Sequence, residues 1–230
     1  MYVGEMGIDR PRELPWQELV LGGTAVAVLL GLHLLPDSGG VDPVYELLSE
    51  YPLRSVVVGV PYTLALLSAN TAVVLLGVAM VRQGLLRGWL TTTLLAVWCL
   101  SLLGLTVFLK DPVGSAGTWY GTAHKLCTVA NFVSLPALCA LLWRRFRTVS
   151  GWRGNARRVG VLAALSMVCA VPFAAAFLRY GGQLRATGTV LGLIERCIVV
   201  LDIATIVTLA AWSRAMAAAR DKRRFDHEVI

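Results

Sequence analysis

The chain has 230 residues, 57% of them hydrophobic and only 15% charged, with a mean hydropathy of +0.68. Soluble domains carry about a quarter charged residues, so these values exclude a soluble globular domain and favour one membrane domain with no soluble catalytic domain beside it. The formal net charge of +7 reads as topological and argues for no nucleic-acid partner.

In chain order, Met1–Pro15 carries Arg10, Arg12 and three acidic residues without a small-residue cleavage signature. It reads as a retained cytoplasmic tail ahead of a signal anchor. Six apolar spans follow, at Trp16–Leu35, Val56–Val81, Trp89–Leu109, Trp119–Leu142, Val159–Phe177 and Val190–Trp212. Their lengths, near twenty residues or more, suit helices that cross a bilayer, and they exceed the roughly 9–11 residues of a barrel strand. The expected fold is all-α: a cytoplasmic tail at 1–15, a six-helix membrane bundle at 16–215 and a basic cytoplasmic tail at 216–230. Trp16, Trp89, Trp119 and Trp212 stand at span ends, where amphipathic rings favour the headgroup zone. Pro61, Pro136 and Pro172 fall inside spans, where neighbouring helices can satisfy the freed carbonyls.

Lys and Arg set the expected orientation. Fifteen cations fall on one side: Arg10 and Arg12, Arg82 and Arg87, six arginines from Arg144 to Arg158, and five cations from Arg214 to Arg224. The other side has only Arg54, Lys110, Arg179 and Arg185, against Asp37, Asp42, Glu46, Glu50 and Asp111. This bias predicts a multi-pass plasma-membrane protein with both termini in the cytoplasm. Basic segments facing anionic headgroups would give the same pattern. The five cysteines are unclustered and odd in number, which suggests neither disulfides nor zinc. His33, His124 and His227 form no His-x-x-x-His pair, so no metal or other cofactor is expected.

Polar residues inside or beside the spans are the informative ones. The first outer loop, Asp42 to Tyr51, suggests a short interfacial helix with Asp42 as N-cap and Pro43 at its first position. Glu46 lies one position too far to complete a capping box. Glu46 and Glu50 either solvate a lid or face a cavity. Asp42-Pro43-Val44 and Asp111-Pro112-Val113 repeat one tripeptide, a weak trace of a duplicated hairpin. In the fourth span Tyr120, His124, Cys127 or Thr128, and Asn131 recur at helical spacing. His124 either shuttles a proton or bridges two helices. The last span holds Glu195, Arg196 and, two turns on, Asp202, with Thr205 extending the stripe. Each ionised residue at mid-membrane costs roughly 2.5–3.5 kcal/mol, so three need a reason. Arg196 points about 100° from Glu195 and is expected to pair with a carboxylate on another helix or to reach the interface.

Together these features resemble a bacterial family of six-helix membrane proteins known as domain of unknown function 998. The matching residues are Asp42-Pro43 through Leu48-Ser49-Glu50-Tyr51, Asp111-Pro112 with Gly114, His124, and Leu191-Gly192-Leu193-Ile194-Glu195-Arg196. In typical members a Phe-Pro precedes the second Asp-Pro, where this chain has Leu109-Lys110. The resemblance implies a fold and a topology but no reaction.

Three functions remain open from the residues. The first is an intramembrane enzyme acting on a lipid or isoprenoid, such as a terpenoid cyclase. Its general acid/base groups would come from Glu46, Glu50, Asp111, His124 and Glu195, and its binding groups from Asp42, Tyr51, Tyr120, Asn131, Arg196 and Asp202. The second is a proton-coupled transporter relaying through Glu195, Asp202 and His124, for which six helices would need to dimerise. The third is a non-catalytic membrane partner, packed through small residues such as Gly77 and Ala174–Ala176.

Overall fold

A computed structural model describes residues 16–35, 40–112, 115–180 and 190–228. The N-terminal tail with Arg10 and Arg12, together with Asp37, Val113, Gly114 and Arg185, lies outside the described residues, as do the side chains of Ala176, Arg179, Arg223, Arg224 and His227. The described residues form seven α-helices and no strand: α1 Trp16–Leu34, α2 Tyr51–Arg54, α3 Val56–Arg82, α4 Trp89–Val107, α5 Trp119–Phe146, α6 Arg153–Tyr180 and α7 Leu191–Glu228. A 3-10 turn at Leu48–Glu50 leads into α2.

The long helices other than α6 begin within about one residue of where hydropathy places the spans, because a backbone in lipid must satisfy its polar groups internally. Their far ends differ. α5 continues to Phe146 and α6 starts at Arg153, so both carry arginine-bearing turns beyond the apolar stretch. α7 runs past Trp212 through the helix-forming run Ala215–Ala219, so the segment expected as a basic tail continues the helix to Glu228. Pro61, Pro136 and Pro172 all lie inside helices.

Successive long helices pack as neighbours, from α3 against α1 round to α7 against α6, and α7 closes the ring on α3. The largest core unites Met80, Trp98, Leu138, Leu142, Leu209 and Trp212. Outside, the exposed residues are apolar, among them Val57, Leu100, Leu126 and Val168, the arrangement expected where the solvent is lipid. Five helices, α1, α3, α4, α5 and α6, are long and apolar enough to cross a membrane. α7 carries more charge but turns it inward. Leu193, Val200 and Val207 are exposed at seven-residue intervals, while Glu195, Ile198, Asp202, Leu209 and Trp212 are buried.

The bundle has two unlike ends. The α3–α4 turn, the α5–α6 turn and the distal part of α7 gather arginines at one end. The loop 40–55, the α4–α5 connection and the start of α7 meet at the other.

Close packing depends on glycine at particular crossings. A Cβ at Gly77 would stand 2.5 Å from Leu95 Cδ2, and one at Gly104 would collide with Cys127 Sγ. Overfilling a packed core typically costs about 1–3 kcal/mol. Gly77→Val should therefore lower the thermal midpoint of the detergent-solubilised protein, whereas an unchanged midpoint would show that α3 and α4 part freely there.

Candidate functional site

The acidic end is built around the loop that joins α1 to α3. Asp42 Oδ1 accepts from the backbone N–H groups of Val44 and Tyr45 at 2.8 and 3.2 Å. Glu46 Oε2 in turn accepts from Asp42 N–H at 2.9 Å, and Glu46 N–H donates to the Asp42 carbonyl at 2.9 Å. Sequence spacing gave Glu46 no part in the capping arrangement, yet its side chain reaches back as a capping-box residue would. The expected interfacial helix is also shorter. Residues 43–45 form one turn and Leu48–Glu50 a separate 3-10 turn, and between them the chain folds back so that Glu46 Oε1 pairs with Arg54 Nη2 at 2.7 Å. The bridge is buried on the Glu46 side.

α7 docks against this loop through backbone and charge together. Leu193 N–H donates to the Val44 carbonyl at 3.0 Å, and Leu48 N–H donates to Glu195 Oε2 at 2.6 Å. Gly192 allows the approach, since a Cβ there would overlap the Glu46 carbonyl oxygen and stand 2.9 Å from its nitrogen. The sequence leaves two outcomes open for Arg196, a carboxylate on another helix or the interface. Among the described residues its hydrogen bonds meet no carboxylate: it reaches the loop and neutral acceptors. Its Nη1 donates to the carbonyls of Glu46 at 2.8 Å and Gly192 at 3.0 Å, and its Nε donates to His33 Nε2 at 2.8 Å. Helical side chains lean toward their own N-terminus, which carries this guanidinium up to the loop and α1. His33 completes the chain by donating from Nδ1 to the Leu29 carbonyl at 2.7 Å.

Tyr51 is fully buried below the loop, against Tyr62 and edge-on to His33. Burial pushes its phenol up, while the neighbouring Arg196 guanidinium pulls the other way. The Tyr51 hydroxyl and Arg196 Nη2 are both buried, and neither makes a well-formed hydrogen bond among the described residues.

The α4–α5 connection supplies the other side of the cluster. Lys110 Nζ pairs with Glu50 Oε1, with both side chains largely buried. Lys110 occupies the place where this chain departs from the Phe-Pro of the family pattern. His124, one turn into α5, donates from Nδ1 to the Phe108 carbonyl at 2.7 Å. That carbonyl belongs to the C-cap of α4, so the imidazole satisfies an orphan acceptor of the kind helix ends leave. Asp111 accepts from the Thr118 hydroxyl at 2.6 Å and from its N–H at 3.0 Å, while Thr118 caps α5 through Gly121 N–H. A Cβ at Gly121 would collide with the Asp111 carboxylate. Asp42 and Asp111 thus stabilise their loops differently, the first within its own turn and the second across seven residues.

The Thr118 hydroxyl and N–H, helped by Lys125 and His124, hold Asp111 below its ordinary value of 3.8. A carboxylate with a depressed folded value adds stability that is present above the unfolded value and is lost as pH falls through the folded one. Asp111→Asn should therefore lower thermal stability relative to wild type at neutral pH, with the difference shrinking below about pH 4. A difference that persisted unchanged at pH 3 would show that the carboxylate charge is not what Thr118 stabilises.

Deeper in the bundle lies a second polar layer. Asp202 is buried next to the Trp98 indole and Cys139. Asn131 Nδ2 contacts the Trp98 carbonyl at 3.3 Å and Ser101 Oγ at 3.4 Å, and Thr128 hydrogen-bonds the His124 carbonyl. His124, Thr128, Asn131 and Ser134 are all buried on α5, matched on α7 by Glu195, Asp202, Thr205 and Ser213. Tyr120 departs from the expected stripe. It is exposed and stacks on Trp119 with ring centroids 3.8 Å apart, because at the first turn the outer face of α5 meets the interface and not the bundle.

Sequence reasoning missed four participants: His33, Lys110, Arg54 and Trp98. In the sequence His33 belongs to no zinc-ligand pair, and the two cations read as loop charges. A histidine at the end of an apolar span was the one available signal. Among the described residues, no three His, Cys, Asp or Glu side chains group as a metal would require.

Long helices packed side to side, apolar toward the surrounding medium and polar toward one another, define a polytopic helical membrane protein with a charged cluster gathered at one end. The chain belongs to the family described as Protein of unknown function (DUF998), whose match covers residues 20–212. No curated protein and no solved structure matches it.

Proposed function

We propose that α7 completes a six-helix bundle with both termini cytoplasmic, and that the acidic end is an outer-half site handling a proton for a membrane-embedded lipid or isoprenoid. The observation that carries this reading is how Glu195 is used. Glu46 and Glu50 are each bonded to a cation, and Arg196 is committed to His33 and two carbonyls. Glu195 is left buried on the Leu48 N–H. A structural acceptor there needs only a carbonyl oxygen, whereas a carboxyl group can also deliver and recover a proton.

In this mechanism the protonated Glu195 donates to an alkene or epoxide of the ligand, the cation that forms closes a ring, and loss of a neighbouring C–H proton to the Glu195 carboxylate leaves a neutral alkene product and restores the acid. Tyr51 and Tyr62 supply aromatic walls beside it. His124 exchanges the proton with the outer surface past Asp111. The Lys110–Glu50 pair, with Arg196 Nη2, the one nitrogen of that guanidinium not committed to His33 or the carbonyls, holds the polar end of the ligand. Orientation rests on the charge bias: arginines crowd one end, while Arg54 and Lys110 at the other are each neutralised by a carboxylate.

A second reading, a proton-coupled carrier, draws support from the buried polar residues that continue down α5 and α7 to Asn131, Asp202 and Ser213. Native mass spectrometry of purified wild type and Glu195→Gln, with lipid extraction, tests both. A defined lipid or isoprenoid held by the wild type and chemically altered relative to that in the mutant supports the enzyme. The same unaltered molecule in both favours a carrier. A second polypeptide with no lipid overturns both readings.

A further inference from the structure

The arginine-rich end holds a feature that the proposed chemistry does not use. A cavity of about 190 Å³ opens there between the α3–α4 turn, the end of α5 and the distal part of α7. A water's share of liquid volume is about 30 Å³, so this space admits a tetrahedral oxyanion with part of its hydration shell. Three guanidinium groups line it, from Arg87, Arg145 and Arg220, and no carboxylate does.

The three arginines come from three segments, all three are exposed, and two of them are tied to the backbone. Arg220 donates from Nη1 to the Arg82 carbonyl at 2.7 Å. Arg145 donates from Nη1 to the Arg87 carbonyl at 3.3 Å and stacks 5.0 Å over the Phe146 ring. Each of these two guanidiniums spends one nitrogen on the scaffold, and its planar fork keeps further N–H groups for an acceptor. Gly84 shapes the floor of the cavity. Its φ of +71° suits glycine, and the position its Cβ would take lies within 3.5 Å of Arg87 Nη2 and of Arg220 Nη2. Those two nitrogens are therefore at most about 7 Å apart, a separation that a phosphate can bridge with two of its oxygens. Like charges held this close repel, and an anion between them removes the repulsion.

We propose that this cavity is a binding site for a phosphate-bearing anion, with Arg87, Arg145 and Arg220 as its ligands. Its place at the ends of α3 and α5, beyond their apolar stretches, suits the headgroup of an anionic lipid, the class that basic pockets between membrane helices recognise. Free phosphate has the same oxygens and is the other source.

The test uses full-length protein in nanodiscs and compares two triple variants of equal charge. One carries Arg87→Gln, Arg145→Gln and Arg220→Gln. The other carries Arg153→Gln, Arg157→Gln and Arg158→Gln, which lie on the same end outside the cavity. Native mass spectrometry after release from phosphatidylglycerol nanodiscs should show a retained lipid on wild type and on the second variant, reduced at least tenfold on the first. Phosphatidylcholine nanodiscs should leave no comparable adduct. Titration with inorganic phosphate forms the other arm: saturable binding lost only in the first variant, with no retained lipid, assigns the site to a soluble phosphate. Equal losses in both variants, or no binding in either arm, would overturn the proposal by reducing the cluster to diffuse surface charge. Thermal midpoints measured alongside identify a first variant that has merely unfolded. In that case single substitutions at Arg87 and Arg145, each expected to weaken retention severalfold, decide the matter.

Discussion

Arg196→Leu should destabilise the protein by about 3 kcal/mol, given that a hydrogen bond to a charged group contributes about 1.5–3 kcal/mol. Interhelical bonds in membranes average less, near 0.6 kcal/mol, which is why the expected total stays well below the sum of three strong bonds. Leucine removes the donors to His33, Glu46 and Gly192 together. The Glu46 carbonyl then stays packed against Gly192 without the guanidinium that satisfied it. On the scale of soluble proteins this loss lowers a thermal midpoint by about 6–12 °C. The loop 40–55 should also become cleavable by protease from its own side of the membrane. Arg196→Lys should recover only part of the loss, since a single ammonium cannot span His33 and the Glu46 carbonyl as a fork does. A leucine variant that melts with wild type and resists protease would mean that the loop is held mainly by Leu193, Leu48 and Tyr51.

The same residue shows where reading from sequence stops. The long helices were legible because twenty apolar residues in lipid have few alternatives to a helix. The burial of Glu195, His124 and Asp202 was legible for a related reason, since charge facing lipid is costly. Helical spacing placed Glu195 and Asp202 on one face, and both are buried together. Partners were not legible. Arg196 meets His33 across 163 positions of chain, and hydropathy says nothing of which helices lie next to each other. Glu46 reached Asp42 because the turn at 43–45 does not continue as a helix, so counting positions from an assumed N-cap misjudged it. Tyr120 failed in the opposite way: helical periodicity put it in the stripe, but it is exposed and its ring lies against Trp119 and Phe108. Local pattern fixes which face a residue occupies, while the ends of elements are decided by what packs over them.

Glu195→Gln and Glu195→Leu should separate support from chemistry at the same atom. Glutamine keeps a carbonyl oxygen for Leu48 N–H, so the fold and the docking of the loop should survive with a midpoint close to wild type. Leucine leaves that buried N–H without an acceptor, at a cost of about 1–3 kcal/mol. If Glu195 is the general acid, both variants should lose about 10²–10⁴-fold in turnover of the lipid or isoprenoid identified by extraction, although only leucine loses stability. Glu195→Asp, with the carboxyl drawn back by one methylene, should restore part of the turnover and little of the Leu48 bond. His124→Ala should slow turnover less than Glu195→Gln, since it removes a route for proton exchange and leaves the donor in place. A Gln variant with wild-type turnover would reduce Glu195 to the clasp that holds Leu48 against α7. The search for the acid would then move down the same face to Asp202, the other buried carboxylate among the described side chains of α7.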